Sequence, residues 1–299
     1  MTFHGAPESR IPFRIACPVK QARRLHHIFD LKQDERLSVI GDGLVHLGAH
    51  VEQLMWSIDH LLGEGQESAA ATLQVICVEE SAKVLILLDI TRTRDQRIAR
   101  KGCDYFYSHL PRLIYANVHS SNPADFGEIE GYLPWLRASH YLDGPNDVDW
   151  IWRNDLLRTR ENSLYVDYEE TDDGYMWTGG DPDQLYIDTA VTRLVLAMKR
   201  AGLLTERGAR ATAETWKGTE FDSGTRWEFC RDKARDVLEA ALPSDTVPTD
   251  NLLTDVRLIL NKWTFPLLSL DLTVESVSME SLKHRQDRHL SRLYGLEDC

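Results

Sequence analysis

Apolar residues recur at three- and four-residue steps along most of the chain, the spacing of helices that bury one face. Leu37, Ile40, Leu44, Leu47, Val51, Leu54, Ile58 and Leu61 predict a long helix from Glu35 to Leu62, closed by Gly63 and Gly65. A second stripe, Leu73, Ile76, Glu80, Val84 and Leu87, predicts one helix from Glu67 to Ala99, ended by Gly102. Its basic last turn (Arg97, Arg100, Lys101) suits the negative end of a helix dipole. A third helix is expected from Ser108 to Val118, with Ser108 as N-cap and Pro111 in the first turn. The connection that follows carries a helical turn at Ile129 to Ala138, and a fourth helix runs from Asp147 to Asn162. Leu164 to Asp167 and Tyr175 to Thr178 then read as a hairpin about the turn signal Thr171 to Gly174. Pro182 and Asp183 open a fifth helix that ends at Arg200, before Gly202.

The flanks differ. Met1 to Asp34, with Pro7, Pro12 and Pro18, reads as an irregular arm with a short helical piece around Gln21 to Leu31. After Thr205 the pattern predicts helices at Thr205–Trp216, Thr225–Leu242, Thr249–Trp263 and Met279–Tyr294, with a short strand at Leu267–Val274. The expected architecture is mainly α: an antiparallel helix bundle with a small β-hairpin and a C-terminal helical extension. The expected divisions are an arm over 1–35, a helical domain over 36–204 and the extension over 205–299.

Charge narrows the function. Lys plus Arg total 34 against 47 Asp plus Glu, a formal charge of -13 in 299 residues, which excludes a general nucleic-acid binder with a broad basic face. A local basic pocket remains compatible with it. The longest apolar run, Val84 to Leu88, is too short to span a membrane. Met1 to Arg10 lacks an apolar signal core, so a cytoplasmic location is expected. Five scattered cysteines form no C-x-x-C pair, the pattern of reduced thiols. His46 and His50 stand four apart with no third ligand alongside, so no metal or cofactor is expected.

The candidate chemistry lies on three consecutive helices. Glu80 and Lys83 form an i,i+3 pair along or beside an apolar stripe. They are either an exposed pair at its edge or a buried network that fixes a site between helices. His109 and Arg112 share a face near a helix N-terminus, where free N–H groups attract anions; a phosphate site and an ordinary surface cluster both fit. Arg160, Tyr165 and Asp167 follow at the end of the fourth helix.

This ordered set resembles the AbiV family of abortive-infection proteins, within the HEPN superfamily of helical domains. The set comprises EE-x-x-K (Glu79, Glu80, Lys83), F-x-x-H-x-x-R (Phe106, His109, Arg112), R-x4-Y-V-D (Arg160, Tyr165, Val166, Asp167) and G-x-x-W (Gly174, Trp177). The likeness covers roughly residues 36 to 205. It implies a HEPN-like bundle, often homodimeric, in defence against phage, and metal-independent cleavage of RNA. The usual HEPN signature sets Arg and His with four to six residues between them: His moves a proton near neutral pH, and Arg stabilises the charged phosphorane. Arg112-x6-His119 has that spacing. Arg160-x4-Tyr165 has it too, but Tyr replaces His, and phenol is a poor base at neutral pH. Either Tyr165 orients phosphate while His109 moves protons, or the site binds without cleaving. The expected catalytic group is therefore His109, Arg112, Arg160, His119 and Tyr165, with Glu80, Lys83 and Asp167 in binding. A non-catalytic protein that binds a phage or host protein partner is the alternative. Trp150, Trp152 and Trp263 are candidates for a dimer contact or for core packing, and the basic run Lys283 to His289 reads as a solvated helix face.

Overall fold

The computed structural model describes residues 24–141, 151–152, 154–171, 174–179, 190–243, 247 and 249–276. Among them the chain forms a 3-10 turn (Leu25–Asp30) and ten α-helices. These are α1 (Gln33–Gly63), α2 (Glu67–Arg92), α3 (Gln96–Tyr107), α4 (His109–Ser120), α5 (Phe126–Arg137), α6 (Asp155–Leu164), α7 (Ala190–Arg200), α8 (Glu206–Thr215), α9 (Trp227–Ala241) and α10 (Asp250–Lys262). The strands are β1 (Ala138–Tyr141), β2 (Ile151–Trp152), β3 (Asp167–Thr171), β4 (Gly174–Thr178) and β5 (Glu275–Ser276). The protein is mainly α, as the periodicity predicts. The predicted helix at Met279–Tyr294, the opening of the fifth helix at Pro182 and the side chains of Trp150 and Trp152 lie outside the described residues.

α1 and α2 pack as an antiparallel pair across a three-residue turn, with Gly65 at φ +69°. α1 is amphipathic and buries Leu37, Ile40, Leu44, Val51 and Ile58. α2 lies in the centre of the bundle, touched by α1, α3, α4, α6, α7 and α8. Nearly every residue from Val75 to Ile90 is covered, and a helix covered on all sides has no single stripe to read.

The expected continuous helix over 67–99 is two helices. Thr93 takes an extended conformation, and the Asp95 carboxylate accepts from the Arg97 amide at 2.8 Å, capping α3. Gly102 does not end a helix; it lies inside α3, where a Cβ would sit 2.7 Å from Ile90. The helix from Asp147 begins only at Asp155, and the turn at Ile129 is a full helix from Phe126, capped by Asp125. The predicted strand at Leu267–Val274 is irregular and buries Leu267, Leu268 and Leu272; pairing begins at β5, parallel to β1. The hairpin is present, with its first strand at Asp167–Thr171 rather than Leu164–Asp167.

Elements beyond α7 share the same hydrophobic core, through Trp216, Cys230, Val237, Ile259 and Phe265. Arg92 shows how. Its guanidinium pairs with Asp89, donates to the Thr264 carbonyl at 2.7 Å, and lies between the rings of Trp216 and Trp263, 4.9 Å from each centroid. The second Asp89 oxygen accepts from the Tyr115 hydroxyl and the Leu267 amide, each at 2.8 Å. Two buried charges are thereby paired and hydrogen-bonded, the condition for keeping them in an interior. Trp263 is therefore core, not an exposed dimer contact. Burial also pushes the thiols of Cys77 to about 11 and of Cys103 and Cys230 to about 12, so these three stay protonated.

Candidate functional site

Three helix segments meet around one carboxylate. Glu79 lies midway along α2, in a row with Val75, Ala82 and Ile86, all buried. α3 ends at Tyr107 and α4 begins at His109, so the single extended residue Ser108 forms a sharp joint. The Ser108 hydroxyl donates back to the Asp104 carbonyl rather than capping α4, and this joint sets His109 and Arg112 on the first turn facing α2. α6 is capped by Asn154, whose amide also donates to the Leu136 and Ala138 carbonyls. Thr72 of α2 donates to the Ser163 carbonyl of α6 at 3.2 Å, and Arg160 of the same helix reaches Glu79.

The Glu79 carboxylate is 8% exposed and meets His109 Nδ1 at 2.9 Å, Arg112 at 3.0 Å and Arg160 Nε at 2.6 Å. Arg112 also donates from Nε to the Ser108 carbonyl at 3.0 Å, which fixes the plane of its guanidinium. His109 Nδ1 lies 2.8 Å from an Arg112 nitrogen, and Nε2 lies 3.5 Å from an Arg160 nitrogen. A guanidinium only donates and a carboxylate only accepts. With the proton on Nδ1, His109 donates to Glu79 and its Nε2 lone pair faces Arg160. With the proton on Nε2, a lone pair faces the carboxylate and an N–H faces a cation. The first tautomer satisfies the Glu79 and Arg160 contacts, while Arg112, whose other nitrogen stands beside Nδ1, is held by Glu79 and the Ser108 carbonyl. His109 is 47% exposed, so the ring whose Nδ1 is held by a buried carboxylate has access to solvent.

Two guanidiniums surround one carboxylate, so the cluster carries an excess positive charge on a chain whose formal charge is -13. Such a spot attracts an anion of phosphate size, and the Arg fork matches its oxygens.

The structure brings together His109, Arg112 and Arg160 from the expected set. The others lie elsewhere. His119 is fully buried one helix turn beyond Tyr115, against whose ring it stacks at 5.9 Å, with Nδ1 on the Tyr115 carbonyl. Burial lowers its pKa to about 4, and its Nε2 has no hydrogen-bond partner among the described residues. Its partner is Tyr115, two turns of helix separate it from Arg112, and it stands outside the cluster that holds Arg112 on Glu79. Tyr165 and Asp167 are exposed, where the chain leaves α6 for β3. Glu80 and Lys83 pair with each other at 2.5 Å, and Lys83 lies 5.3 Å from the centre of the Phe106 ring, apart from the Glu79 cluster. Glu79 is the residue that the stripe reading passes over. Followed through Val75, Ala82 and Ile86 instead of Ile76 and Glu80, the periodicity places Glu79 in a core row, where a carboxylate needs partners.

The bundle that holds this inter-helix cluster is a mainly α domain consistent with the HEPN type. The family model for AbiV matches residues 40–196, more than half of the chain and a span that includes every member of the cluster. The chain belongs to the AbiV family, and its function is of the abortive-infection, HEPN type. No curated protein and no solved structure matches it. No helix among the described residues is long and apolar enough to cross a membrane.

Proposed function

We propose that the chain is an abortive-infection effector that cleaves host or phage RNA without a metal, using the cluster around Glu79. The supporting observation is His109: Nδ1 lies 2.9 Å from a buried carboxylate, and the ring stands half exposed between two arginines. Glu79 keeps the proton on Nδ1 and leaves Nε2 as the base, in the way a carboxylate orients the imidazole of a catalytic triad. Nε2 takes the proton of a ribose 2′-hydroxyl. The 2′-oxygen bonds to phosphorus while the bond to the 5′-oxygen breaks, and the imidazole returns the proton to that departing oxygen. Arg160 and Arg112 stabilise the charge that gathers on the phosphorane. The weak contact from Arg160 to Nε2 is one that a phosphate can draw away.

The proposal includes the homodimer, the cytoplasmic location and a phage or host protein as activator. The test is incubation of total RNA and tRNA with the wild type and with His109→Ala, in excess EDTA. Cleavage is expected to persist in EDTA and to fall about 100-fold or more in His109→Ala, the usual contribution of a general acid–base group. No cleavage by the wild type, either alone or with extract of phage-infected cells added to supply the activator, or equal cleavage by His109→Ala, removes the proposal. His109 is the cleaner position to vary, because Arg112 is buried and its loss disturbs the fold.

A further inference from the structure

The hairpin that follows α6 presents an aromatic face with nothing packed on it among the described residues. Tyr168 and Trp177 are direct cross-strand partners and Tyr175 is diagonal to Tyr168, so the three rings share one side. Tyr168 lies 5.3 Å from Trp177 and 6.0 Å from Tyr175, centroid to centroid. All three are more than half exposed, Trp177 at 71%. A two-stranded ribbon of this length is marginal in water without cover for one face.

Charge selects the cover. From Glu161 to Thr192 the sequence carries nine carboxylates and no Lys or Arg, and five of those carboxylates fall between Asp167 and Thr178. RNA and a second copy of the same hairpin would both bring negative charge to this acidic hairpin. A cationic polypeptide fits it, since Lys and Arg stack on Tyr and Trp rings and pair with carboxylates. The fold already uses that contact elsewhere, where Arg92 lies between two indoles and Arg231 lies 4.7 Å from the centre of the Trp227 ring.

The chain carries a matching segment. Between Lys283 and Arg292 stand four cations (Lys283, Arg285, Arg288, Arg292) against Asp287 alone. The last described residue, Ser276, pairs with Ser139 in β1. The adjacent Ala138 carbonyl accepts from Asn154, the cap of α6, so the described chain ends beside the start of α6. The hairpin begins just past the other end of that helix, and ten residues at about 1.5 Å each make roughly 15 Å. The six residues from 277 to 282, extended at about 3.3 Å each, span roughly 20 Å. We infer that the basic segment Lys283–Arg292 docks in cis on the aromatic face of the β3–β4 hairpin, within this acidic stretch of chain. The contact is independent of whether the Glu79 cluster cleaves RNA.

Hydrogen–deuterium exchange on the full chain tests it. With Lys283→Glu, Arg285→Glu, Arg288→Glu and Arg292→Glu combined, amides of Asp167–Thr178 are expected to exchange about tenfold faster, equivalent to about 1.4 kcal/mol, while α2 amides keep their rates. The wild type in about 1 M salt is expected to show the same selective loss, because the Debye length shrinks to about 3 Å. Dilution is expected to change nothing. If the variant also accelerates α2, its whole fold has loosened and the salt measurement decides: hairpin amides accelerating alone support the contact, and unchanged ones overturn it. Unchanged hairpin exchange in both the variant and high salt overturns the inference. Faster exchange on dilution of the wild type also overturns it, since the occupant is then a second copy.

Discussion

Replacing Glu79 by Gln removes one negative charge and leaves the shape of the side chain nearly intact, so its effect measures what the carboxylate holds. The three partners stand at 2.6, 2.9 and 3.0 Å, and they are not equally able to turn to water. His109 is 47% exposed and Arg160 15%, whereas the Arg112 side chain is 7% exposed. The cost therefore concentrates on Arg112, whose charge keeps the Ser108 carbonyl but loses its carboxylate. Breaking a buried pair from one side costs about 3–5 kcal/mol, and the retained amide oxygen still accepts a neutral bond, so about 3 kcal/mol is expected. Urea denaturation is the assay, with a fall in midpoint at unchanged slope. Arg112→Met in the Glu79→Gln background removes the stranded charge, so the double variant should be less destabilised than the sum of the two singles by about 1–3 kcal/mol. A Glu79→Gln change within about 0.5 kcal/mol of wild type would refute the reasoning, as would strict additivity.

Three further outcomes follow from other parts of the fold. His119 titrates near 4 when folded against an ordinary 6.5, so the unfolded chain binds more protons between those values. Stability is complete above about pH 6.5 and falls by up to about 3 kcal/mol as the pH drops towards 4; His119→Gln should lose this part of the pH profile in urea titrations at a series of pH values. Asp89→Asn leaves Arg92 buried between Trp216 and Trp263 without its counter-charge and should cost about 3–5 kcal/mol, read as a lowered thermal midpoint. Gly41→Ala puts a Cβ 2.5 Å from the Glu206 backbone and must push α1 from α8, at about 1–3 kcal/mol by urea denaturation.

Gly179 shows how local the support for the hairpin is. It holds φ +96°, and a Cβ there would collide with the Tyr165 carbonyl, so the end of β4 closes directly onto the end of α6. The hairpin turn at Thr171–Gly174 was legible from its residues, but the starting point of β3 was not, because Leu164 completes α6 instead. The break between α2 and α3 was also written in the chain, since Asp95 is a strong cap, yet the apolar pattern runs on through it.

Periodicity and residue order alone show that the protein is mainly helical, where its amphipathic α1 lies, which ordered residues carry the likeness to AbiV, and that any anion site must be local on an acidic chain. Packing between distant helices is what makes Glu79 rather than Glu80 the centre of the cluster and leaves His109 rather than His119 open to solvent. Neighbouring carboxylates on a helix differ by about 100° of rotation, and two imidazoles on one helix differ only in what surrounds them. Periodicity states that a face is covered; it does not state by what. For α2, packed against six other helices, the partner that each face meets is set by helices far away in the chain, and the charge on Glu79 gains its meaning only when α4 and α6 bring a histidine and two arginines to it.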